Sequence, residues 1–327
     1  MSGGRSTVLV LGGTGMLGHT LFEHLSARPD LDVHATVRDP APLHDRMLPE
    51  RRRFIHPWID AARIDQIEQV VDEVRPDVVV NAIGIVKQVP AAADPLASIV
   101  INTLLPHRLA RLSTIAGARL IHVGTDCVFS GGKGGYGEDD PPDPIDLYGR
   151  SKLLGEPIDA GGSGALTLRT SLIGHELRTG HGLLEWMLAQ VGSATGYRRA
   201  IFSGLPTLEF ARVLAEVVLP RAELSGLYHV SSDPISKFAL LELIARRYDR
   251  EIEIQPRDEP AIDRSLDSTR FRTATGYEPP SWPELVGAMH EDAVDRYPAR
   301  FGDASRDAVR EGVQAAARDA DSLTAAR

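Results

Sequence analysis

The stretch "STVLVLGGTGMLGHTLFEHLSARPDLDVHATVRD", residues 6–39, decides the fold of this 327-residue chain. Residues 7–11 form a continuous apolar run, as a parallel strand does when both of its faces are covered. Glycines follow at 12, 13, 15 and 18. Leu17, Leu21, Phe22 and Leu25 then recur at helical spacing, which predicts an amphipathic helix, and "DVHATVR" returns as a second strand. Gly12, Gly15 and Gly18 suit a turn that presents a helix N-terminus to a pyrophosphate. The first makes the turn, the second admits the phosphates, and the third lets helix lie on strand. Strand, glycine turn, helix and strand together open a dinucleotide-binding unit.

The alternation continues outward. "RRFIHPWID" reads as strand three, "ARIDQIEQVVDEVRP" as a helix and "DVVVNAIG" as strand four. A helix over 96–116 contains Pro106, which predicts a kink or a break. "ARLIHVGTD" is strand five, "YGRSKLLGEPI" starts the next helix, and "ALTLRT" is strand six. Strands separated by helices predict an α/β fold, a Rossmann-type doubly wound parallel sheet. Residues 1–170 form the expected dinucleotide-binding core. Residues 171–301 read as a smaller C-terminal α/β substrate-binding lobe, interleaved with returns to the core sheet. The tail 302–327 has almost no large apolar residues and reads as disordered or weakly helical.

Bulk properties narrow the class. A net charge of −9 without a basic block argues against nucleic acid as a partner. There is no apolar run of membrane-spanning length and no signal peptide, so the expectation is a cytoplasmic protein with no membrane partner. The single cysteine excludes an internal disulfide or a multi-cysteine metal site. In the acidic stretch "GEDDPPDP" a solvated, proline-stiffened loop outweighs a hard-cation site, so no metal is expected.

At the end of strand two, where an NAD site places a carboxylate for the ribose 2′-hydroxyl, this chain has Arg38. A cation suits a 2′-phosphate, so NADP is the expected cofactor, with NADPH preferred over NADH; the neighbouring Asp39 keeps NADH in play. Tyr148 and Lys152, four apart at a helix start, share one face. An ammonium beside a tyrosine favours the phenolate, and a tyrosine so tuned can protonate a carbonyl oxygen as hydride reaches its carbon. Thr125, at the C-terminal end of strand five, is placed to hydrogen-bond the same oxygen.

The motifs "GGTGMLG", "NAIG", Asn102, "TDCVFSG", "YGRSKLLGE", "LRTSLIG", "SGLPT" and "DRSLDSTRF" together resemble an extended short-chain dehydrogenase/reductase. The resemblance is to the sugar-nucleotide branch that includes the dTDP-4-dehydrorhamnose reductases, and it covers about residues 7–290. It implies reduction of a keto group on a nucleotide-linked sugar, with Thr125, Tyr148 and Lys152 catalytic and Lys152 also holding the nicotinamide ribose. Thr14, Met16 and Leu17 in the turn, Asp60 near the adenine, and Asn81, Ala82 and Ile83 along the cleft join the implied cofactor set. A homodimer is among the implied assemblies.

The chain departs from that pattern at Cys127, where the family carries a tyrosine, and at Gly124, where it carries a serine. Related epimerase/reductases pair such a cysteine with a histidine after strand six, the place of His175 here. Two readings stay open: Cys127 and His175 exchange a proton beside the keto group, or Cys127 is a small packing residue. Lys87, Arg199 and Arg264 are candidates for the sugar and its phosphates, since a diphosphate needs cations. A third reading, a non-catalytic dinucleotide-binding regulatory subunit, keeps the fold and loses turnover.

Overall fold

The computed structural model describes residues 5–44, 49–86, 93–158 and 164–301. The strands are β1 (Ser6–Leu11), β2 (Leu31–Thr36), β3 (Ile55–His56), β4 (Val78–Asn81), β5 (Arg119–Val123), β6 (Leu166–Arg169) and β7 (Leu172–Ile173). They continue as β8 (Gly192–Tyr197), β9 (Ala200–Phe202), β10 (Leu205–Pro206), β11 (Gly226–His229), β12 (Ile235–Ser236), β13 (Ile252–Arg257) and β14 (Ile262–Asp263). The main sheet has seven parallel strands in the order β3-β2-β1-β4-β5-β6-β11. Strand order reverses direction between β1 and β4, which opens a crevice at the C-terminal ends of those strands.

Alternation along β1 shows why the sheet is covered on both sides. Val8 and Val10 join a core with Leu17, Leu21, Phe22 and Leu25 of the Met16–Ser26 helix. Leu9 and Leu11 face the opposite way, onto a core with Ile67, Val70 and Val71 of the Ile64–Val74 helix and Leu105 and Leu109 of the next. Each fully buried side chain of this kind contributes about 1.5–3 kcal/mol. The chain after residue 170 returns to the first of these cores through the Thr207–Arg212, Lys237–Arg247 and Trp282–Arg296 helices. It adds β11 to the sheet edge and forms separate small pairings, β8 with β13 and β9 with β12 and β14.

One expectation needs correction and a second sharpening. Strand three shrinks to Ile55–His56, because a 3₁₀ turn of Pro49–Phe54 carries the three arginines and Pro57 brings no N–H to a ladder. Pro106 does not end the helical run but stands where it changes type. A Pro95–Ser98 turn passes through a π-helical segment, Ile99–Leu104, and Pro106 then sits in the first turn of Leu105–Ala116. The carbonyl of Asn102, which would pair with residue 106 in an α-helix, is left without that N–H. Gly155 lies against it so closely that a Cβ there would come within 1.8 Å of the oxygen. The gap made by a proline is the seat of the helix that carries Tyr148 and Lys152.

The Trp282–Arg296 helix carries a readable start signal: Ser281 and Glu284 form a capping box that encloses Pro283 in the first turn. The 302–327 tail lies outside the described residues. Among the described residues no helix is long and apolar enough to cross a membrane.

Candidate active site

The glycine turn is built as its spacing demands. Gly12 has φ +89°, and its amide hydrogen-bonds the Thr36 hydroxyl (3.3 Å) while Gly13 donates to the Thr36 carbonyl (2.8 Å). A Cβ on Gly18 would come within 2.0 Å of the Gly12 carbonyl oxygen, so any larger residue would push helix off strand. Gly15 begins the Met16–Ser26 helix with no side-chain cap, leaving first-turn N–H groups for an anion. Thr14, Met16 and Leu17 line this turn, Leu17 with its side chain in the core. Asn81, Ala82 and Ile83 leave β4 beside it; the Ala82 amide bonds the Leu11 carbonyl (3.2 Å), and Ile83 packs where a Gly12 side chain would go. The residues present fit a dinucleotide.

At the end of β2, Arg38 is exposed and makes no ion pair with a described residue. Asp39 is engaged: one oxygen accepts the Ala41 amide (2.9 Å) and the other meets Arg178 (2.7 Å) from the segment after β7. The carboxylate that would repel a 2′-phosphate is thus balanced by a cation from the other half of the chain. Asp60, exposed after β3, caps the turn ahead of the Ile64–Val74 helix by accepting from Ala62 (3.0 Å).

The Leu147–Leu154 helix starts on Asp146, whose side chain accepts the Gly149 amide (2.7 Å). Gly149 lets it approach the chain at Cys127, where a Cβ would lie 2.2 Å from the Cys127 carbonyl oxygen. Its far side is tied to the π-helical segment by Asn102 to the Ser151 hydroxyl (3.1 Å) and Thr103 to the Ser151 carbonyl (2.8 Å). Tyr148 and Lys152 are therefore fixed from both sides, and Thr125 lies opposite them, buried at the end of β5. Asn102, Thr103 and Ser151 are structural partners that sequence reasoning did not assign. A lone asparagine amid apolar helix residues four before a proline was the available signal.

The Thr125 hydroxyl donates to the Asp126 carboxylate (3.2 Å) and lies near enough to the Tyr148 phenol to act on its ionisation. Burial pushes the tyrosine phenol well above its usual range, with the Cys127 thiol adding to the effect and the Thr125 hydroxyl opposing it. The residue is partly exposed while its hydroxyl end lies deep among protein atoms. Lys152, 4% exposed, donates to the Val123 carbonyl (2.8 Å) and stands 3.5 Å from the Nε2 of His122. Burial pushes its amine down to about 8, with Glu156 pulling weakly the other way. Lowering of the tyrosine by the lysine, expected from their spacing, is not what this arrangement produces. The lysine rests on Val123, and desolvation governs both groups.

Cys127 neighbours Tyr148, and its amide hydrogen-bonds the Thr125 hydroxyl (3.2 Å). His175 is not its partner. The histidine is buried, with Nδ1 on Glu185 (2.9 Å) and Nε2 on the Tyr248 hydroxyl (2.9 Å), so both ring nitrogens are committed within the C-terminal half. The Cys127–His175 pairing is corrected accordingly. Gly124 replaces a serine where the Arg169 side chain packs, 3.1 Å from any Cβ placed there.

Arg264 is anchored by its Nε, which donates to the Phe129 carbonyl (2.8 Å), and its neighbours Asp263 and Ser265 clip the glycine-rich loop, with the Tyr136 amide donating to the Ser265 carbonyl (2.9 Å). Arg199 is exposed and pairs with Glu259 (3.5 Å). Lys87 lies outside the described residues. In the acidic loop Asp140 meets Lys133, Asp143 meets Ser130, Asp139 meets Arg270, and Glu138 accepts the His229 amide. Among the described residues no group of three or more ligating side chains could hold a metal.

A parallel sheet in this order, a glycine turn at its switch point and a threonine–tyrosine–lysine set beside it define an extended short-chain dehydrogenase/reductase. Comparison with known proteins sharpens this: the RmlD substrate binding domain family matches residues 6–294, and the chain belongs to that family. It is 33% identical over 191 residues to a dTDP-4-dehydrorhamnose reductase of Burkholderia thailandensis, covering 53% of this chain and 61% of that one. It is 32% identical over 149 residues to methionine adenosyltransferase 2 subunit beta of Bos taurus, covering 46% and 41%. The matched stretch thus spans less than two thirds of each relative. The structure of dTDP-4-dehydrorhamnose reductase from Bacillus anthracis in complex with NADP shares the fold, with a TM-score of 0.74 at 24% identity, covering 88% of this chain and 99% of that one.

Proposed function

We propose that this protein reduces the keto group of a nucleoside-diphosphate 4-keto-deoxysugar, with NADPH as the preferred donor and NADH the weaker one. The observation that carries the reading is the buried Thr125 near the Tyr148 phenol and the buried Lys152, on the C-terminal side of the sheet where the strand order reverses. The family membership and the likeness to the Burkholderia reductase support the substrate class. Gly12, Thr14, Gly15, Met16, Leu17 and Gly18 hold the pyrophosphate, Arg38 the 2′-phosphate, and Asp60 the adenine end. Asn81, Ala82 and Ile83 flank the nicotinamide half, which ends at Tyr148 and Lys152. The balanced Asp39–Arg178 pair supports NADPH over NADH.

The bound nicotinamide supplies the hydride. A phenol held protonated by burial suits a general acid, so Tyr148 gives its proton to the carbonyl oxygen. Thr125 orients that oxygen through its own hydroxyl, and Lys152 fixes the tyrosine's surroundings and replaces charge as the proton leaves. Cys127 stands at the substrate side of the same pair, and Lys87, Arg199 and Arg264 are the cations proposed for the diphosphate.

NADPH oxidation against a panel of dTDP-, UDP- and GDP-linked 4-keto-sugars tests the reading. Turnover of at least one member is the expected result. NADPH binding with no oxidation by any member would overturn it in favour of a second reading, a non-catalytic dinucleotide-binding subunit. The similarity to methionine adenosyltransferase 2 subunit beta speaks for that reading.

A further inference from the structure

Behind Lys152 lies a buried chain of polar groups whose hydrogen-bond parity is fixed. The Ile83 amide can only donate, and it points at the Asn81 Oδ1 (3.1 Å), so the Asn81 side-chain NH₂ must face the other way. It faces Nδ1 of His122, at 3.1 Å, and an NH₂ can only donate there. His122 must therefore accept at Nδ1, and a neutral imidazole that accepts at Nδ1 carries its proton on Nε2. That N–H is directed at the Lys152 amine, 3.5 Å away. An ammonium has no lone pair to receive it, whereas a neutral amine has one. Asn81 and His122 are both fully buried, so neither group can turn to water for relief.

We propose that His122 is a positioning residue for Lys152: Asn81 locks it as the Nε2–H tautomer, and that N–H, with the Val123 carbonyl, seats the lysine amine and opposes its protonation. The groups that act on this pair from outside it come from two elements. Glu156, on the turn after the lysine's own helix, favours the ammonium but is held by two 2.7 Å bonds to Arg169. His107, on the Leu105–Ala116 helix, acts on His122 from the other side. Burial, followed by Lys152 and His107, holds the His122 ring well below its usual range and therefore neutral at working pH, as the parity requires. A lysine that exchanges its proton near neutrality suits a site where a tyrosine must be recharged each cycle, and in that respect alone the inference rests on the reductase reading.

The test is free of turnover, so an inactive protein would leave it decisive. In the full chain with ¹⁵N-labelled histidine, imidazole NMR between pH 6 and 9 should show His122 protonated at Nε2 only. A proton on Nδ1, or on both nitrogens, overturns the proposal without any variant. In Asn81→Asp the side chain keeps its acceptor for Ile83 and replaces the NH₂ by an acceptor. The tautomer should then switch to Nδ1–H, presenting a lone pair to the lysine. The ¹⁵N titration of Lys152 should move up by about one pH unit or more. An unswitched tautomer overturns the role of Asn81, and a switched tautomer with an unmoved lysine overturns the coupling. In Asn81→Asp/His122→Leu the rise should vanish; a rise that persists belongs to the new carboxylate alone and also overturns the proposal.

Discussion

Two buried clusters of ionisable groups obey the same electrostatics and end in opposite states. Lys152, 4% exposed, touches a carbonyl and a neutral imidazole, and its amine is pushed down to about 8. Glu185, 5% exposed, would be raised by its burial. Hydrogen bonds from His175 and Arg300 outweigh that and hold it at about 2. The first cluster leaves a charge poorly compensated; the second compensates it from two sides. The poorly compensated group stands beside Thr125 and Tyr148, and the compensated one ties β7 and its following helix to the chain's last described turn. Uncompensated burial marks the working site, and compensated burial marks the scaffold.

Replacing the lysine should give the largest effects, in two directions. Lys152→Met should lower turnover by about 10²–10⁴-fold. At pH 7 the lysine is charged in both folded and unfolded chains, and the folded state disfavours that charge. The variant should therefore be more stable than the wild type there, by about 2 kcal/mol once a lost hydrogen bond of about 1 kcal/mol is deducted. Between pH 8 and the unfolded value of 10.5 the folded protein sheds its proton first, so wild-type stability should rise with pH while the variant's should not. Urea melts at pH 7 and pH 10 read both; equal stability and equal slopes would break the comparison.

The scaffold cluster should respond with the opposite sign. Glu185→Ala leaves His175 and Arg300 without their partner and should cost about 2–3 kcal/mol, below the figure for a fully buried pair because Arg300 is half exposed. The carboxylate's folded value lies below its unfolded one. Its contribution is complete above about 4.5 and lost as pH falls toward 2, so the two proteins' melts should converge over that window. Turnover of the folded variant should stay within about threefold of wild type, since no reacting group is touched. A large loss of turnover without loss of stability would place this cluster at the site after all.

Smaller effects sharpen the contrast at the cofactor's far end. Arg38→Ala removes an exposed cation with no described partner, and NADPH affinity should fall about tenfold, NADH affinity by less than about twofold. Equal losses for both cofactors would remove the 2′-phosphate assignment. Cys127→Ser should change turnover by less than about threefold, because His175, the base expected to act with it, is committed to Glu185 and Tyr248. Loss of solvent deuterium exchange beside the keto carbon in this variant would instead restore a proton-transfer role for Cys127.

Much of the site was legible because its signals are local. "GGTGMLG" encodes a turn in which Gly18 has no room for a side chain, and the four-residue spacing of Tyr148 and Lys152 puts them on one helix. What stayed hidden depends on contacts distant in the chain. His175 reads as a loop histidine after strand six, yet Tyr248, seventy-three residues on, takes its Nε2. Arg264 reads as an isolated cation, and nothing local in its sequence shows that the Phe129 carbonyl anchors its Nε. Pro106 marks an irregularity in its helix, but nothing local shows that a π-helical segment is what removes the clash a straight α-helix would suffer. Spacing likewise places the lysine near the tyrosine without showing that a carbonyl of β5 holds its amine.

The central claim is that Tyr148 protonates the keto oxygen while hydride arrives. Deuterium transfer from 4-deuterated NADPH to the keto carbon of an accepted nucleotide-linked 4-keto-sugar, in wild type and Tyr148→Phe, tests it most directly. The wild type should deliver deuterium to that carbon. The variant should bind NADPH within about twofold of wild type and transfer at a rate lower by about 10²–10⁴-fold. Undiminished transfer by Tyr148→Phe would contradict the account.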